Sequence, residues 1–376
     1  MVVTGATITG VAVPYRPELG TVITAGLELT EARHVILQLH TDQGLTGLGE
    51  AVPRPSVYGE TMESITAAMR DLLLPPVLGL DALDVEKVWA RWSRVVANTT
   101  AKAAIDMALH DIAGQMAQMP LYKMLGGWSD GHVRLAMPLG ISDLADVVRR
   151  AGAALEQGFD TLKLKIGRDS GHDVAVVQAV RRAVGPQAKL YVDANQGYTA
   201  REALRVIPRL EEFGIELVEE PVPVEDVAGR TRIAHSVAIP LLLDESITTS
   251  ADVLREIQLG NAGALSIRSP RSGFTATRKM LGLAEAASVP CLVGSHRELG
   301  VGTAASAHLA AAYRCMRYPA ELGVHTTLED GLLEEPIQIV GGWLTAPSGP
   351  GLGVRLDAAK VARYRIWSTS VGEIGA

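Results

Sequence analysis

The chain has 376 residues, 47% of them hydrophobic but only 4% aromatic, so we expect an interior packed mainly by aliphatic side chains. Its formal net charge of −7 argues against nucleic acid or an anionic membrane as a partner, which leaves small molecules as the expected ligands. Two cysteines are too few for a disulfide framework, and we find no signal peptide and no uncharged apolar run of membrane-spanning length, so we expect a cytoplasmic protein.

The first part of the chain, residues 1 to about 125, has a pattern of strands followed by helices. Residues 35–40 alternate in polarity and run through a turn into residues 45–50, which predicts a β-hairpin. Further on, small apolar side chains recur at helical spacing over residues 101–112. Asn98 and Thr99 precede them and are candidate helix caps.

From about residue 133 the pattern changes to short apolar strands that alternate with helices. Helices are predicted over residues 144–157, 175–183, 200–213 and 278–287, and a further strand over residues 337–344. Such alternation is typical of repeated βα units around a parallel sheet. Together with the chain length, it predicts an α/β protein in which a (β/α) barrel is joined to a smaller α+β domain.

Five of the predicted strands end in a charged residue. These residues are spaced 28, 26, 25 and 24 positions apart, and they are Lys165, Asp193, Glu219, Asp244 and Arg268. An eight-unit barrel of roughly 250 residues has a repeat of about 31, so each of the five falls at the end of a successive strand. We therefore expect all of them at one rim of the barrel.

The alternation of side chains along these strands predicts which of them face inward. Side chains two residues apart point the same way. Lys163 and Lys165 should then both point into the barrel. The outward positions should be apolar, and they are Leu162, Leu164, Leu190, Val192, Val218, Leu243, Leu265 and Ile267.

Three carboxylates at neighbouring strand ends would repel one another without a positive charge between them. Mg²⁺ or Mn²⁺ satisfies that requirement at Asp193, Glu219 and Asp244. Such an ion can bind a substrate carboxylate and stabilise the charge that develops when the adjacent carbon loses a proton. Lys163 and Lys165 should lower each other's pKa, which predicts that one of them is a neutral base.

The motifs at these positions resemble the muconate-lactonizing branch of the enolase superfamily, and the resemblance extends over nearly the whole chain. They are Lys163-Leu-Lys165, Asp193-Ala-Asn195, Glu219-Glu-Pro221, Asp244-Glu-Ser246 and Glu298 in the stretch that begins at Ser295. The resemblance implies that Asp193, Glu219 and Asp244 bind the metal, that Lys165 is the base and that Lys163 tunes it.

The same resemblance implies a modified TIM-like barrel whose mouth is closed by the N-terminal domain. We place the capping domain at residues 1–125, the barrel at 126–335 and a segment that returns to the capping domain at 336–376. Residues 15–25 and 54–60 should shape the specificity pocket. Members of this branch commonly form dimers or octamers, so a homo-oligomer is expected.

One position departs from the pattern of the branch. Its sixth barrel strand usually carries a second lysine opposite the base, but here that residue is Arg268. Arginine stays protonated and accepts protons poorly, which weakens a racemase and favours chemistry on one face of the substrate. Arg268 could instead hold an oxyanion or a second substrate carboxylate.

Other features separate the alternatives within the family. Dipeptide epimerases typically carry an Asp-x-Asp pair near the eighth strand, where this chain has Glu321-Leu-Gly323. A mandelate-racemase-like dyad would need an aspartate at the position of Arg268 to orient His296. Glu298 is expected either to support the site or to contact the substrate.

The sequence therefore predicts a muconate-cycloisomerase-like enzyme that acts on a small-molecule carboxylate, with Lys165, Lys163, Arg268 and Glu298 as its catalytic group. The alternatives are an N-acylamino-acid or dipeptide racemase or epimerase, and a syn-dehydratase similar to o-succinylbenzoate synthase. From a different class, a catalytically silent barrel that binds an acidic metabolite stays open.

Overall fold

A computed structural model describes residues 1–17, 22–24 and 27–373. Its N-terminal part contains an antiparallel sheet whose four strands lie in the order Arg365–Gly372, Val3–Pro14, Glu31–Thr41 and Thr46–Ala51. The predicted hairpin is confirmed by the last two of these strands. The final strand of the chain therefore pairs with the first.

The helix Thr99–Ala117 packs closely against this sheet. A β-carbon added at Gly49 would lie 2.0 Å from the Ala104 carbonyl oxygen, so only glycine allows this approach. The predicted cap at Asn98 is wrong, because its side chain donates to the Val96 carbonyl instead. Glu60 does the capping, since its carboxylate accepts the backbone N–H of Thr100 at 3.2 Å.

Seven parallel strands form the barrel and follow one another in chain order. We number them one to seven, and they are Met137–Leu139, Thr161–Lys165, Lys189–Asp193, Ile215–Glu219, Leu241–Leu243, Ala264–Ile267 and Cys291–Val293. Residues 315–321 close the barrel at the eighth position. Parallel bridges join Ala320 to Leu135 before the first strand and Met316 to Cys291 in the seventh.

Helices connect the barrel strands, and they are Leu144–Glu156, Ser170–Val184, Ala200–Leu210, Val227–Ala234, Ser250–Gln258, Ser269–Ala286 and Gly300–Ala312. The helix predicted over 278–287 begins at Ser269, and Gly273, with a φ of 66°, interrupts it. The strand predicted over 337–344 is two short antiparallel strands, Ile339–Val340 and Trp343–Thr345, because two left-handed glycines turn the chain between them.

Shorter elements complete the described chain. The strands are Val22–Thr24, Leu27–Leu29 and His132–Arg134. The helices are Pro55–Tyr58, Met62–Ala68, Met69–Leu73 of π type, Val85–Arg91, Leu121–Leu125, Glu211–Phe213 and Val324–Thr327 of 3₁₀ type, and Ala358–Tyr364. None of the helices in the described part of the chain combines the length and apolar character that crossing a membrane requires.

The predicted division of side chains between the two faces of the barrel sheet is confirmed. All eight apolar residues predicted to point outward belong to the layer between the strands and the surrounding helices. A separate inner cluster fills the barrel below its mouth, and it consists of Ala136, Tyr191, Leu217, Leu242, Ala264 and Leu292. This core supports the charged residues that follow at the strand ends.

Candidate active site

Three acidic side chains end three neighbouring strands of the barrel. Asp193 and Glu219 are paired in register at the ends of the third and fourth strands, and Asp244 directly follows the fifth. All three are at most 1% exposed. Since the carboxyl ends of parallel strands share one rim, the predicted acidic residues lie together at the barrel mouth.

Lys163 lies among these acids inside the barrel and is only 2% exposed. Its Nζ is 2.9 Å from Asp193 Oδ2, 2.6 Å from Glu219 Oε2 and 2.9 Å from Glu321 Oε1. Burial alone would lower the pKa of Lys163, but the three carboxylates outweigh burial and raise it well above its ordinary value. The expectation that Lys163 and Lys165 lower each other's pKa is therefore wrong for Lys163, which stays protonated.

Lys165 points into the mouth and keeps a side-chain exposure of 27%. Its Nζ contacts Asp193 Oδ2 and Asn195 Oδ1, each at 2.5 Å. Asn195 has a φ of 43°, so the chain turns sharply after the third strand and brings the amide back over the lysine. Lys165 is thus positioned by two oxygen atoms at the point where the barrel opens.

Two arginines hold Asp244: Arg268, which directly follows the sixth strand, and Arg271 in the next helix. Arg268 Nε donates to Asp244 Oδ1 at 2.7 Å, its Nη2 contacts the other carboxylate oxygen, and its Nη1 donates to the Ser295 carbonyl. Arg271 Nη1 adds a contact of 3.0 Å to Asp244 Oδ1. Burial opposes the charge of Asp244, but the two arginines outweigh it and lower the pKa of this carboxyl.

Basic side chains lie between the acidic ones at the mouth. Among the described residues, no group of three or more acidic, histidine or cysteine side chains is arranged to hold one metal ion. Glu219 nevertheless has two buried oxygens without a well-directed hydrogen bond, and burial and Asp193 raise its pKa well above its ordinary value. The cation beside it is the Lys163 ammonium, 2.6 Å from Oε2, and carboxylates are ligands that Mg²⁺ prefers. The donor set therefore fits a divalent ion, which would compete with Lys163 and Arg268.

Glu298 lies beneath the loop that follows the seventh strand and is buried. Its carboxylate accepts the Ser295 hydroxyl, and burial raises its pKa. The Ser295 carbonyl in turn accepts a hydrogen bond from Arg268. Of the two roles expected for Glu298, the structure places it in contact with the loop that holds Arg268.

Glu220 supports the turn that follows the fifth strand. Its Oε1 accepts the backbone N–H groups of Asp244 and Ser246 at 2.7 and 2.9 Å. Ser246 Oγ donates to the same oxygen. Glu220 thus fixes the turn that carries Asp244.

The N-terminal part of the chain reaches the mouth through the segment 54–60. The Tyr58 hydroxyl lies 2.9 Å from His296 Nε2 in the loop after the seventh strand. Of the predicted specificity loop 15–25, residues 18–21 and 25 lie outside the described residues. The contact between Tyr58 and His296 thus joins the segment 54–60 to the barrel loop beside Arg268.

Three members of the charged cluster were missed as site residues. Tyr191 donates to Glu321 Oε1 at 2.7 Å inside the barrel. Its inward parity, two residues before Asp193, could have revealed it. Glu321 was named near the eighth strand only because it stands where an Asp-x-Asp pair would be, and Arg271 gave no signal because it ends no strand that the pattern identifies.

Two family models match the chain. The model described as the mandelate racemase/muconate lactonizing enzyme N-terminal domain matches residues 4–126, and the one described as enolase C-terminal domain-like matches residues 146–360. The chain therefore belongs to the mandelate racemase/muconate lactonizing enzyme family of the enolase superfamily. The branch and the TIM-like barrel fold predicted from the motifs are confirmed.

Individual relatives are isomerases of two kinds. The L-Ala-D/L-Glu epimerase of Bacillus subtilis is 34% identical over 91% of this chain and 92% of its own length. A muconate lactonizing enzyme from Mycobacterium smegmatis, complexed with muconolactone, is 36% identical with a TM-score of 0.93, over 97% of this chain and 100% of that one. A dipeptide epimerase from Enterococcus faecalis, complexed with Mg and L-Leu-L-Tyr, is 30% identical with a TM-score of 0.89, over 94% and 99% of the two chains.

Proposed function

We propose that the chain is a muconate-cycloisomerase-like enzyme that acts on a small-molecule carboxylate, with Lys165 moving a proton at the carbon next to that carboxylate. One observation carries the proposal. The Lys165 amino group is partly exposed at the mouth beside buried Asp193, whereas Arg268 at the end of the sixth strand is bound to Asp244 and stays cationic. Of these two residues, Lys165 alone can therefore act as a general acid or base.

Asp193, Glu219 and Asp244 would hold Mg²⁺ or Mn²⁺ in this proposal. A divalent ion supplies positive charge beside the substrate carboxylate, which stabilises the negative charge of an enolate. The relative complexed with Mg supports this choice. Small-molecule carboxylates are the substrate class of the family.

Four residues of the chain have separate roles in the proposed reaction. Lys165 donates the proton to the substrate carbon in the lactone-forming direction and removes it in the reverse direction. Lys163 neutralises Asp193 and Glu219, which keeps the acids together inside the barrel. Arg268 positions Asp244, and Glu298 acts through Ser295.

We also propose the predicted division into a capping domain, a barrel and a returning segment. Pairing of Arg365–Gly372 with Val3–Pro14 supports the return. A cytoplasmic homo-oligomer remains a proposal that rests on the family alone.

A racemase or epimerase is the second candidate, favoured by the 34% identity to an epimerase over most of the chain. It requires a proton acceptor on each face of the substrate carbon. Burial opposes the charge of Arg268, but Asp244 outweighs it and raises the pKa well above its ordinary value, so Arg268 accepts no proton. A product that remains a single enantiomer through complete turnover excludes racemisation, and loss of water from the substrate would identify a syn-dehydratase.

The proposal is tested by incubating mono- and dicarboxylic acids with the enzyme and Mg²⁺ or Mn²⁺ in D₂O. Mass spectrometry should show deuterium uptake with at least one acid. Lys165→Ala should abolish the uptake but leave Mn²⁺ affinity, followed by electron paramagnetic resonance, nearly intact. The matched control is Lys189→Ala, since Lys189 begins the third strand and is exposed. Unchanged uptake in Lys165→Ala would reject this role, and uptake with none of the acids would favour a silent barrel.

A further inference from the structure

A cleft of about 250 Å³ lies beside the barrel mouth, between the capping domain and the loop after the seventh strand. The capping domain contributes the segments 31–34 and 52–56 and the start of the helix Met62–Ala68. The barrel contributes His296 and Arg297. The cleft therefore adjoins the residues that contact Arg268.

Two arginines on the walls of this cleft, Arg54 and Arg297, form no ion pair with an acidic side chain of residues 1–17 or 29–373, the residues whose side chains the structure describes. Arg54 Nε is buried without a hydrogen-bond acceptor. Arg297 has a left-handed backbone, with a φ of 69°, and lies 5.9 Å from the ring of Tyr15. By contrast, three buried arginines are paired, Arg230 with Glu256 and both Arg268 and Arg271 with Asp244.

His296 presents a further unsatisfied group. Its ring is 2% exposed, and Nδ1 has no partner among the described residues. Burial and the neighbouring Arg268 and Arg54 lower its pKa well below the ordinary value, so the ring is neutral. The Tyr58 hydroxyl lies 2.9 Å from His296 Nε2. In the tautomer in which this hydroxyl donates to Nε2, Nδ1 carries the ring proton and is a free donor.

The acidic residues of the cleft do not neutralise these groups. Glu31 accepts Arg33 Nε at 2.6 Å, so it has its own partner. Glu63 is exposed in the first turn of the helix Met62–Ala68. Among the side chains that the structure describes, the cleft thus combines two guanidinium groups that form no ion pair with a buried imidazole nitrogen that has no hydrogen-bond partner, and this combination suits a carboxylate.

We propose that Arg54, His296 and Arg297 form a subsite that binds the second carboxylate of a dicarboxylic substrate. The inference rests on the proposed function, which places the first carboxylate at the strand ends. Ser295 links the two places, because its carbonyl accepts Arg268 and the next residue is His296. Arg268, held by Asp244, is then not the group that binds the distal carboxylate.

The test measures binding rather than turnover. Succinate, glutarate, adipate and pimelate are each titrated calorimetrically against the Mg²⁺-containing enzyme and compared with their monomethyl esters. At least one of these acids should bind about 10- to 100-fold more tightly than its ester, since a hydrogen-bonded charge contributes that much. Arg54→Gln and Arg297→Gln should each lower this preference roughly tenfold and leave ester affinity unchanged.

Lys189→Gln is the control, because Lys189 is exposed at the start of the third strand and does not line the cleft. It should leave the preference intact. The proposal is overturned if no acid binds more tightly than its ester, if Arg54→Gln weakens acid and ester equally, or if the variants lower only the melting temperature. Failure of deuterium uptake would reject the proposed enzyme without altering these binding results, so the two failures are distinguishable.

Discussion

Replacing Lys163 with methionine should destabilise the barrel strongly in the absence of a divalent ion. The substitution keeps a long side chain but removes an ammonium group that lies 2.6 to 2.9 Å from three buried carboxylates. Lys163 is 2% exposed, so solvent screens this charge little. Removing one partner of a buried ion pair costs about 3–5 kcal/mol. We expect a loss of that size in the free energy of unfolding at neutral pH.

The deficit should depend on pH and on metal in a defined direction. Burial raises the pKa of Asp193, but Lys163 and Lys165 outweigh burial and hold it below the ordinary value. This contribution to stability is present above the unfolded pKa and is lost as the pH falls. Without Lys163 the pKa rises, so the difference between variant and wild type should shrink in acid. Added Mg²⁺ should stabilise the variant more than the wild type, because the ion replaces the missing charge.

Urea-induced unfolding measures these differences. Lys189→Met is the control, since Lys189 is exposed on the same sheet and its substitution should stay within about 0.5 kcal/mol. A loss below about 1 kcal/mol in Lys163→Met would refute the reasoning, because the carboxylates would then not depend on this ammonium group.

Two further predictions concern stability away from the mouth. Arg230→Met should lower the free energy of unfolding by about 3 kcal/mol, because Glu256 loses the guanidinium that contacts it at 2.9 Å. The double variant Arg230→Met with Glu256→Met should recover much of that loss. A double variant that unfolds in urea as readily as the single one would contradict this prediction. Burial raises the pKa of Asp111 from 3.8 to about 6 in the folded protein. As the pH rises, this carboxyl therefore ionises in the unfolded chain before it ionises in the folded one. About 3 kcal/mol of the free energy of unfolding should be lost between about pH 4 and about pH 6. Asp111→Asn should flatten this part of the urea-monitored pH profile, and an unchanged slope would rule out Asp111 as its source.

The sequence predicted the strand ends well because two periodic constraints agree there. The βα repeat sets where each strand ends, and the alternation of side chains sets which of its residues face inward. Together they bring Lys163, Asp193 and Glu219 to one rim without any knowledge of the loops. The family motifs then add the expected chemistry, which periodicity alone does not contain.

The errors arise where a contact joins distant parts of the chain. Glu321 lies 158 residues from Lys163, and no pattern near either residue indicates their hydrogen bond. Without that carboxylate, the neighbouring lysines were expected to lower each other's pKa. Glu60 likewise caps a helix that starts at Thr99, where the local sequence favoured Asn98. In both cases tertiary structure supplies a partner that competes with the local one.

The pairing of Arg365–Gly372 with Val3–Pro14 has a consequence for how the protein is made. During synthesis the first strand leaves the ribosome long before its edge partner, and it must wait until the barrel residues between them have emerged. The exposed edge of Val3–Pro14 is open to wrong pairing in that interval. This sheet therefore gains its fourth strand only after the barrel residues have been synthesised, and a nascent chain that stops before Arg365 lacks that strand.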